Sequence, residues 1–227
     1  MKGSLYIVAT PIGNLEDITF RAVRILGEVD FILCEDTRMT AKLLAKYEIR
    51  KPLKTFNAHS SASSRKEIIE LLNEGKNIAL VTDAGTPAIS DPASLLVEEV
   101  RREFGDEAKV IPIPGASAVT AALSASGFPA SDFLFLGFLP HKKGRQTLMK
   151  EIADSDRTVV FYESPHRILK ALKELSEHIG ERKIAIAREL TKIYEEYLFG
   201  TAEEVSKILT AIPEKQRGEF VVIVSPK

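Results

Sequence analysis

Three short segments concentrate the side chains able to bind or transform a small molecule. They are Thr10-Pro11-Ile12-Gly13-Asn14-Leu15-Glu16-Asp17, Cys34-Glu35-Asp36-Thr37-Arg38 and Asp83-Ala84-Gly85-Thr86-Pro87-Ala88-Ile89-Ser90-Asp91-Pro92. Each follows a short apolar run, and each contains carboxylates. Taken singly, each reads as a strand-to-helix turn in which Asp17, Asp36 or Asp91 caps the next helix or sits in its first turn. Three such loops on one edge of one sheet would instead form a pocket. Neither G-x-G-x-x-G after the first apolar run nor G-x-x-x-x-G-K-[ST] occurs, so the usual phosphate cradles are missing. The loops are acidic. A ligand with an amino group, a sulfonium and ribose hydroxyls tolerates carboxylates that would repel a polyphosphate.

Two later segments carry further polar groups: Phe161-Tyr162-Glu163-Ser164-Pro165-His166-Arg167 and Ala187-Arg188-Glu189-Leu190-Thr191-Lys192. The first also reads as a strand end followed by a helix that opens near Pro165, the second as a charged connector. The densest basic run is His141-Lys142-Lys143-Gly144-Arg145, after Pro140 and shortly before Lys150. A charge run is commonly a solvated face. In a chain of net charge −1 it is also the place where an RNA backbone could be held by charge alone. Cys34 is the only cysteine and the four histidines are scattered, which excludes an intrachain disulfide and argues against a zinc site. No metal is expected.

The elements that must position these groups follow from the apolar pattern. Short runs at 5–9, 31–34, 53–56, 78–82 and 110–113 alternate with amphipathic stretches. These stretches contain Phe20, Val23 and Leu26; Leu43, Leu44 and Tyr47; Ile68, Ile69, Leu71 and Leu72; and Leu95, Leu96, Val100 and Phe104. Strand alternating with helix predicts an α/β domain with a mostly parallel sheet. Pro112-Ile113-Pro114-Gly115 breaks the pattern, so the N-terminal α/β domain is placed at 1–114 and a C-terminal α/β domain at 115–227. The second half opens with a small-residue helix at 117–126. Strand-like runs follow at 133–138, 158–162, 184–187, 194–199 and 220–224, with a helix at 166–179 striped by Ile168, Leu172, Leu175 and Ile179. Closely spaced strands predict a mixed sheet here. The 5–9 run is too short for a signal-peptide core or a membrane span, which points to the cytoplasm and away from a membrane.

The motifs together resemble the ribosomal RNA small subunit methyltransferase I family, which is similar in turn to the tetrapyrrole methylases. The likeness begins at Val8-Ala9-Thr10-Pro11-Ile12-Gly13-Asn14-Leu15-Glu16-Asp17. It continues through Cys34 to Arg38, Asp83 to Pro87, Ile89 to Pro92, Pro114-Gly115 with Ser117-Ala118, and Gly137-Phe138-Leu139-Pro140. It ends with Tyr162 to Arg167 and Arg188 to Lys192. It implies two α/β domains with a cofactor cleft between them, a homodimer, and S-adenosyl-L-methionine as cofactor. The implied reaction is 2′-O-methylation of a decoding-region cytidine in 16S ribosomal RNA, within the small ribosomal subunit. It also implies cofactor contacts at Pro11, Asp83, Ala84, Gly85, Ile89, Ser90, Ser117, Ala118, Tyr162 and Leu190. The chain departs from the family pattern at Asn57-Ala58-His59, where a His-Glu-His cluster is usual, and at Ala93 and Ala116.

A ribose hydroxyl is a weak nucleophile and gains from a base that removes its proton. Glu163, Asp36 and a deprotonated Lys192 are the candidates; each also reads as a residue that holds its loop by hydrogen bonds. Lys142, Lys143 and Arg145 are assigned to RNA phosphates. Two other functions fit the same residues: a tetrapyrrole C-methyltransferase, and a non-catalytic factor that binds S-adenosylmethionine or RNA.

Overall fold

Alternation of short apolar runs with amphipathic stretches produces a five-stranded parallel sheet in the first half of the chain. The computed structural model describes residues 1–57, 60–91 and 93–227. Ala58 and His59 of the altered histidine motif, and Pro92 of the third loop, lie outside the described residues. The described chain separates into two compact units, Met1–Ser117 and Ala118–Lys227.

In the first unit, strands β1 (Leu5–Val8), β2 (Phe31–Cys34), β3 (Leu53–Thr55), β4 (Ile78–Leu80) and β5 (Val110–Ile113) pair in the order β3-β2-β4-β1-β5. Every pairing is parallel. Helices α1 (Phe20–Glu28) and α2 (Thr37–Lys46) cover one face, where Ala22, Ile25, Leu26 and Leu44 meet Val8, Ile32, Cys34, Ala79 and Val81. Helices α3 (Ala62–Asn73) and α4 (Ser94–Phe104) cover the other, where Ile68, Leu72, Leu96, Val100 and Phe104 meet Leu5, Ile7, Leu33, Ile78 and Leu80. Each fully buried leucine or isoleucine contributes about 1.5–3 kcal/mol. Phe20 and Leu95, grouped with these stripes by the sequence pattern, are exposed instead. Helix starts are set locally: the Thr19 side chain accepts from the Ala22 amide and the Ser61 side chain from the Ser64 amide.

This strand order has one consequence for binding. The chain leaves β2 outward to β3, whereas it leaves β4 in the opposite direction, past β1 to β5. Adjacent parallel strands whose connections diverge leave a crevice beyond their carboxyl ends. By this rule the place for a ligand lies between the loops that follow Cys34 and Leu80.

The second unit starts with α5 (Ala118–Ser126). A mixed sheet follows, built from β6 (Phe133–Phe138), β7 (Thr158–Glu163), β8 (Lys183–Arg188), β9 (Glu196–Thr201) and β10 (Phe220–Val224). Its order is β6-β7-β10-β8-β9, with only the β6–β7 pair parallel. Helices α6 (Arg145–Asp154), α7 (Ile168–Ile179) and α8 (Ala202–Ala211) bury Met149, Ile152, Leu172, Leu175, Val205 and Leu209 against Val159, Phe161, Ile184, Ile186 and Val222. Helix α5 packs against β8 and β10, where its alanines permit close approach. Strand β9 begins two residues later than the apolar pattern suggests, because residues 189–195 form a turn-rich loop. Helix α8 is not among the elements expected from the apolar pattern, although Thr201 and Glu204 form a capping box at its start.

Two glycines test this packing in opposite directions. A Cβ on Gly115 would lie 2.9 Å from the Ala9 Cβ, whereas one on Gly27, exposed on α1, would meet nothing within 4 Å. Gly115→Ala is expected to lower stability by about 1–3 kcal/mol through overpacking. Gly27→Ala is expected to raise it by about 0.5–1 kcal/mol through helix propensity. Denaturant unfolding of the two variants beside the parent chain reads both signs.

Candidate active site

Backbone and hydroxyl hydrogen bonds draw the three acidic loops together at the carboxyl edge of the parallel sheet. Strand β4 ends at Leu80, two residues short of the apolar run, which frees Thr82 to bond through its side chain. Thr10 and Gly85 exchange backbone bonds, Thr10 N to Gly85 O at 2.9 Å and Gly85 N to Thr10 O at 3.1 Å. The Thr10 hydroxyl donates to Thr82 O at 2.9 Å. The Thr86 hydroxyl donates to Ala116 O at 3.2 Å and so ties in the turn after β5. Gly85 has φ +85°, and a Cβ there would sit 3.5 Å from the Ile12 side chain. Glycine alone takes this conformation without strain. Ala88 and Ser90 also have positive φ, 68° and 58°, a strained backbone of the kind found at functional loops.

The β2 and β4 loops are joined across the crevice. The Asp36 amide donates to Asp83 Oδ1 at 3.2 Å, and the Thr82 hydroxyl donates to Glu35 Oε1 at 2.5 Å. Two acids adjacent in sequence then diverge electrically. Asp36 is held down at about 2, first by the side-chain hydrogen bond from Arg38 and then by the Arg38 amide. Glu35 is pushed up to about 6, first by burial; the Thr82 hydroxyl opposes the rise, while a hydrogen bond that protonated Glu35 donates to Asp91, the charge of Asp91 and the charge of Asp83 add to it. Among the described residues no group of three or more His, Cys, Asp or Glu is arranged to hold a metal ion.

Of the residues expected at the cofactor, Pro11, Asp83, Ala84 and Gly85 come together at this edge; Pro11 and Gly85 are buried, Asp83 and Ala84 exposed. Ile89 and Ser90 lie farther along the same loop and are exposed, and Ser117 follows the turn tied by Thr86. Ala118, Tyr162 and Leu190 belong to the second unit. The Tyr162 hydroxyl is raised in pKa by burial and bonds the Val119 backbone, next to Ala118. Phe135 and Phe138 pack on its ring, with centroids 5.1 and 5.3 Å away. Leu190 is buried between Glu189 and Thr191, which have φ of 50° and 64°.

The three candidate bases are otherwise occupied. Asp36 caps α2 through the Arg38 amide and pairs with the Arg38 guanidinium at 2.7 Å. A carboxylate held at about 2 is a poor proton acceptor at neutral pH. Lys192 lies 2.9 Å from Glu189 and 2.9 Å from Glu219. Partial burial pulls its pKa down, yet the bonds and charges of these two acids raise it overall, so it stays protonated. Glu163 is fully buried between Arg167 Nε at 2.8 Å and Arg145 Nη1 at 3.6 Å. It therefore serves as a structural anchor.

Arg145 also departs from its expected role on an open basic loop. Its side chain is only 4% exposed and pairs with Glu174 at 2.6 Å. It donates to Pro140 O at 3.2 Å, while Arg167 donates to Leu139 O at 2.9 Å. The buried Glu163 thus fixes, through two arginines, the start of the loop that carries exposed His141, Lys142 and Lys143. The basic run looked uniform in sequence because the acids that capture Arg145 lie 18 and 29 residues away.

The sequence pattern of the Tetrapyrrole (Corrin/Porphyrin) Methylases matches residues 4–206. A relative from Thermotoga maritima, named ribosomal RNA small subunit methyltransferase I, is 50% identical over 226 residues, 99% of each chain. One of the same name from Halalkalibacterium halodurans is 49% identical over 224 residues, covering 98% of this chain and 76% of that one. The solved structure of a diphthine synthase superposes with a TM-score of 0.75 over 98% of this chain and 90% of that chain. At 17% identity, that likeness speaks to the fold alone.

The contrast within the basic run is measurable. Arg145→Ala leaves Glu163 and Glu174 short of a buried cation and is expected to cost about 3 kcal/mol or more. Lys142→Ala and Lys143→Ala, both at exposed sites, should stay within about 0.5 kcal/mol of the parent. Equal losses in chemical denaturation would show that Arg145 is not the buried anchor described.

Proposed function

The chain belongs to the tetrapyrrole methylase family and to its ribosomal RNA small subunit methyltransferase I branch, and from this we propose that it methylates the ribose 2′-hydroxyl of a decoding-region cytidine in 16S ribosomal RNA. The family uses S-adenosyl-L-methionine, which supplies an electrophilic methyl group when bound. The observation that carries the reading is half-identity to a relative of that name across essentially the full length of both chains. By the same likeness, the working form is a cytoplasmic homodimer acting on the small ribosomal subunit. Among the described residues, no helix is long and apolar enough to cross a membrane.

The crevice residues suit this cofactor. Its positive charge and ribose hydroxyls need acceptors, and the Asp36, Asp83 and Asp91 carboxylates stand on the β2 and β4 loops. Gly85 presents backbone with no side chain in the way. Pro11, Asp83, Ala84, Gly85, Ile89, Ser90 and Ser117 would hold it from the first unit. The work left to the protein is to align the hydroxyl, exclude water and take up a proton. Lys142 and Lys143, anchored by the Arg145–Glu163–Arg167 cluster, would meet RNA phosphates.

The direct test incubates purified protein with labelled S-adenosylmethionine and small subunits lacking modifications, then maps the label by mass spectrometry. A 2′-O-methylcytidine in the decoding region is expected; label on a base, or none, overturns the reading. Gly85→Ala should weaken cofactor binding roughly tenfold by calorimetry, with about 1 kcal/mol lost from the fold. Lys142→Ala with Lys143→Ala should leave cofactor affinity unchanged. Subunit affinity should fall, and its log–log salt dependence should flatten by roughly one unit per phosphate contact removed.

A further inference from the structure

We propose that Glu35 is the general base of this reaction, its carboxylate held by Thr82 at the crevice between β2 and β4 so that it takes the proton of the attacking hydroxyl. The proposal rests on the methyltransferase reading above and names the proton acceptor that the motifs left open.

Glu35 directly follows the last residue of β2, and Thr82 stands just beyond β4, so their 2.5 Å hydrogen bond spans the point where the sheet connections diverge. A ligand in such a crevice lies against the first residues beyond the strands. The bond orients the carboxylate by a fixed neighbour: Thr82 O is itself held by the Thr10 hydroxyl at 2.9 Å, and Thr10 by Gly85.

The other candidate acids and the lysine are bound to opposite charges: Asp36 to Arg38, Glu163 to Arg145 and Arg167, and Lys192 to Glu189 and Glu219. The charges acting on Glu35 are negative, from Asp91 and Asp83 on the β4 loop. On the α2 side stand Asp36, ionised down to about 2, and Arg38, which is paired with it. On β2 itself stands Cys34, whose thiol is pushed up by burial and so stays neutral. Burial and these like charges bring Glu35 to about 6, the range in which a carboxylate is both ionised at neutral pH and basic enough to accept a proton.

The step balances without a further reactant. As the hydroxyl oxygen bonds to the methyl carbon, its proton passes to the Glu35 carboxylate. The carbon–sulfur electron pair stays on sulfur, leaving a neutral thioether. Protonated Glu35 then releases its proton to water.

The test is single-turnover methyl transfer to unmodified small subunits at saturating cofactor, followed from about pH 5 to 8. For the parent, the rate should rise with pH through about 6 and level off, because the base must be ionised. Glu35→Gln should lower the plateau by roughly 10²- to 10⁴-fold and abolish that limb, with cofactor affinity by calorimetry changed only a few-fold. Thr82→Val removes a hydrogen bond that favours ionised Glu35, so the limb should move to higher pH. Asp91→Asn removes a charge that disfavours it, so the limb should move lower. If Glu35→Gln does not fold, these two shifts decide, and an unmoved limb in both overturns the proposal. A Glu35→Gln plateau within a few-fold of the parent also overturns it, as does a loss confined to cofactor affinity. An inactive parent chain overturns the methyltransferase reading itself, a different result from an active parent whose rate ignores Glu35.

Discussion

Everything at the carboxyl edge of the first sheet depends on one constraint: β2 and β4 are neighbours whose onward connections run in opposite directions. Helices α2 and α4, which follow them, lie on opposite faces of the sheet, so the two loops that leave there must support each other. They do so through the Thr82–Glu35 and Asp36–Asp83 bonds. The Thr10–Gly85 exchange adds the β1 loop, and Thr86 to Ala116 adds the turn after β5. These cross-links are polar and hold carboxylate and carbonyl acceptors at the sheet edge, where hydrophobic packing would have supplied none.

The same cross-links sort chemically equivalent side chains into different roles. Glu35 and Asp36 are neighbours in the chain, yet they settle at about 6 and about 2. The difference arises from what stands beside each: Arg38 for Asp36, and burial with Asp91 and Asp83 for Glu35. Environments that push the pKa values of nearby acids apart are how a site assigns one of them to proton transfer.

The second unit solves a different problem with charge. Glu163, Arg145, Arg167 and Glu174 form a buried cluster, and removing ions from water costs several kcal/mol each before they pair. Arg145 Nη2 and Glu163 Oε2 remain without a hydrogen bond, so the cluster is a poor source of stability. Its geometric effect is specific: both guanidinium groups also hold backbone carbonyls, Leu139 O and Pro140 O, at the root of the basic loop. An apolar cluster of the same volume would have no directional grip on those carbonyls.

Local physics made much of this readable in the residues themselves. Apolar runs interleaved with amphipathic stretches give the parallel sheet and its helices, because a strand buried on both faces needs a continuous apolar segment. Closely spaced strands in the second half give the mixed sheet. The three acidic loops could be placed on one edge because consecutive loops after parallel strands must emerge together. The strand order, and with it the crevice between β2 and β4, was not readable, since it depends on which strands pair across long stretches of chain. For the same reason the sequence points to Asp36 and not to Glu35: burial and the approach of Asp91, 56 residues away, exist only once β2 and β4 are side by side. In the sequence Lys192 reads as a base and Arg145 as a free cation, because Glu219, the second of the two acids on Lys192, and Glu174 lie 27 and 29 residues distant. Residue types and spacing set which groups can do chemistry; long-range packing decides which remain free to do it, because desolvation and paired charge depend on neighbours that only the folded chain supplies.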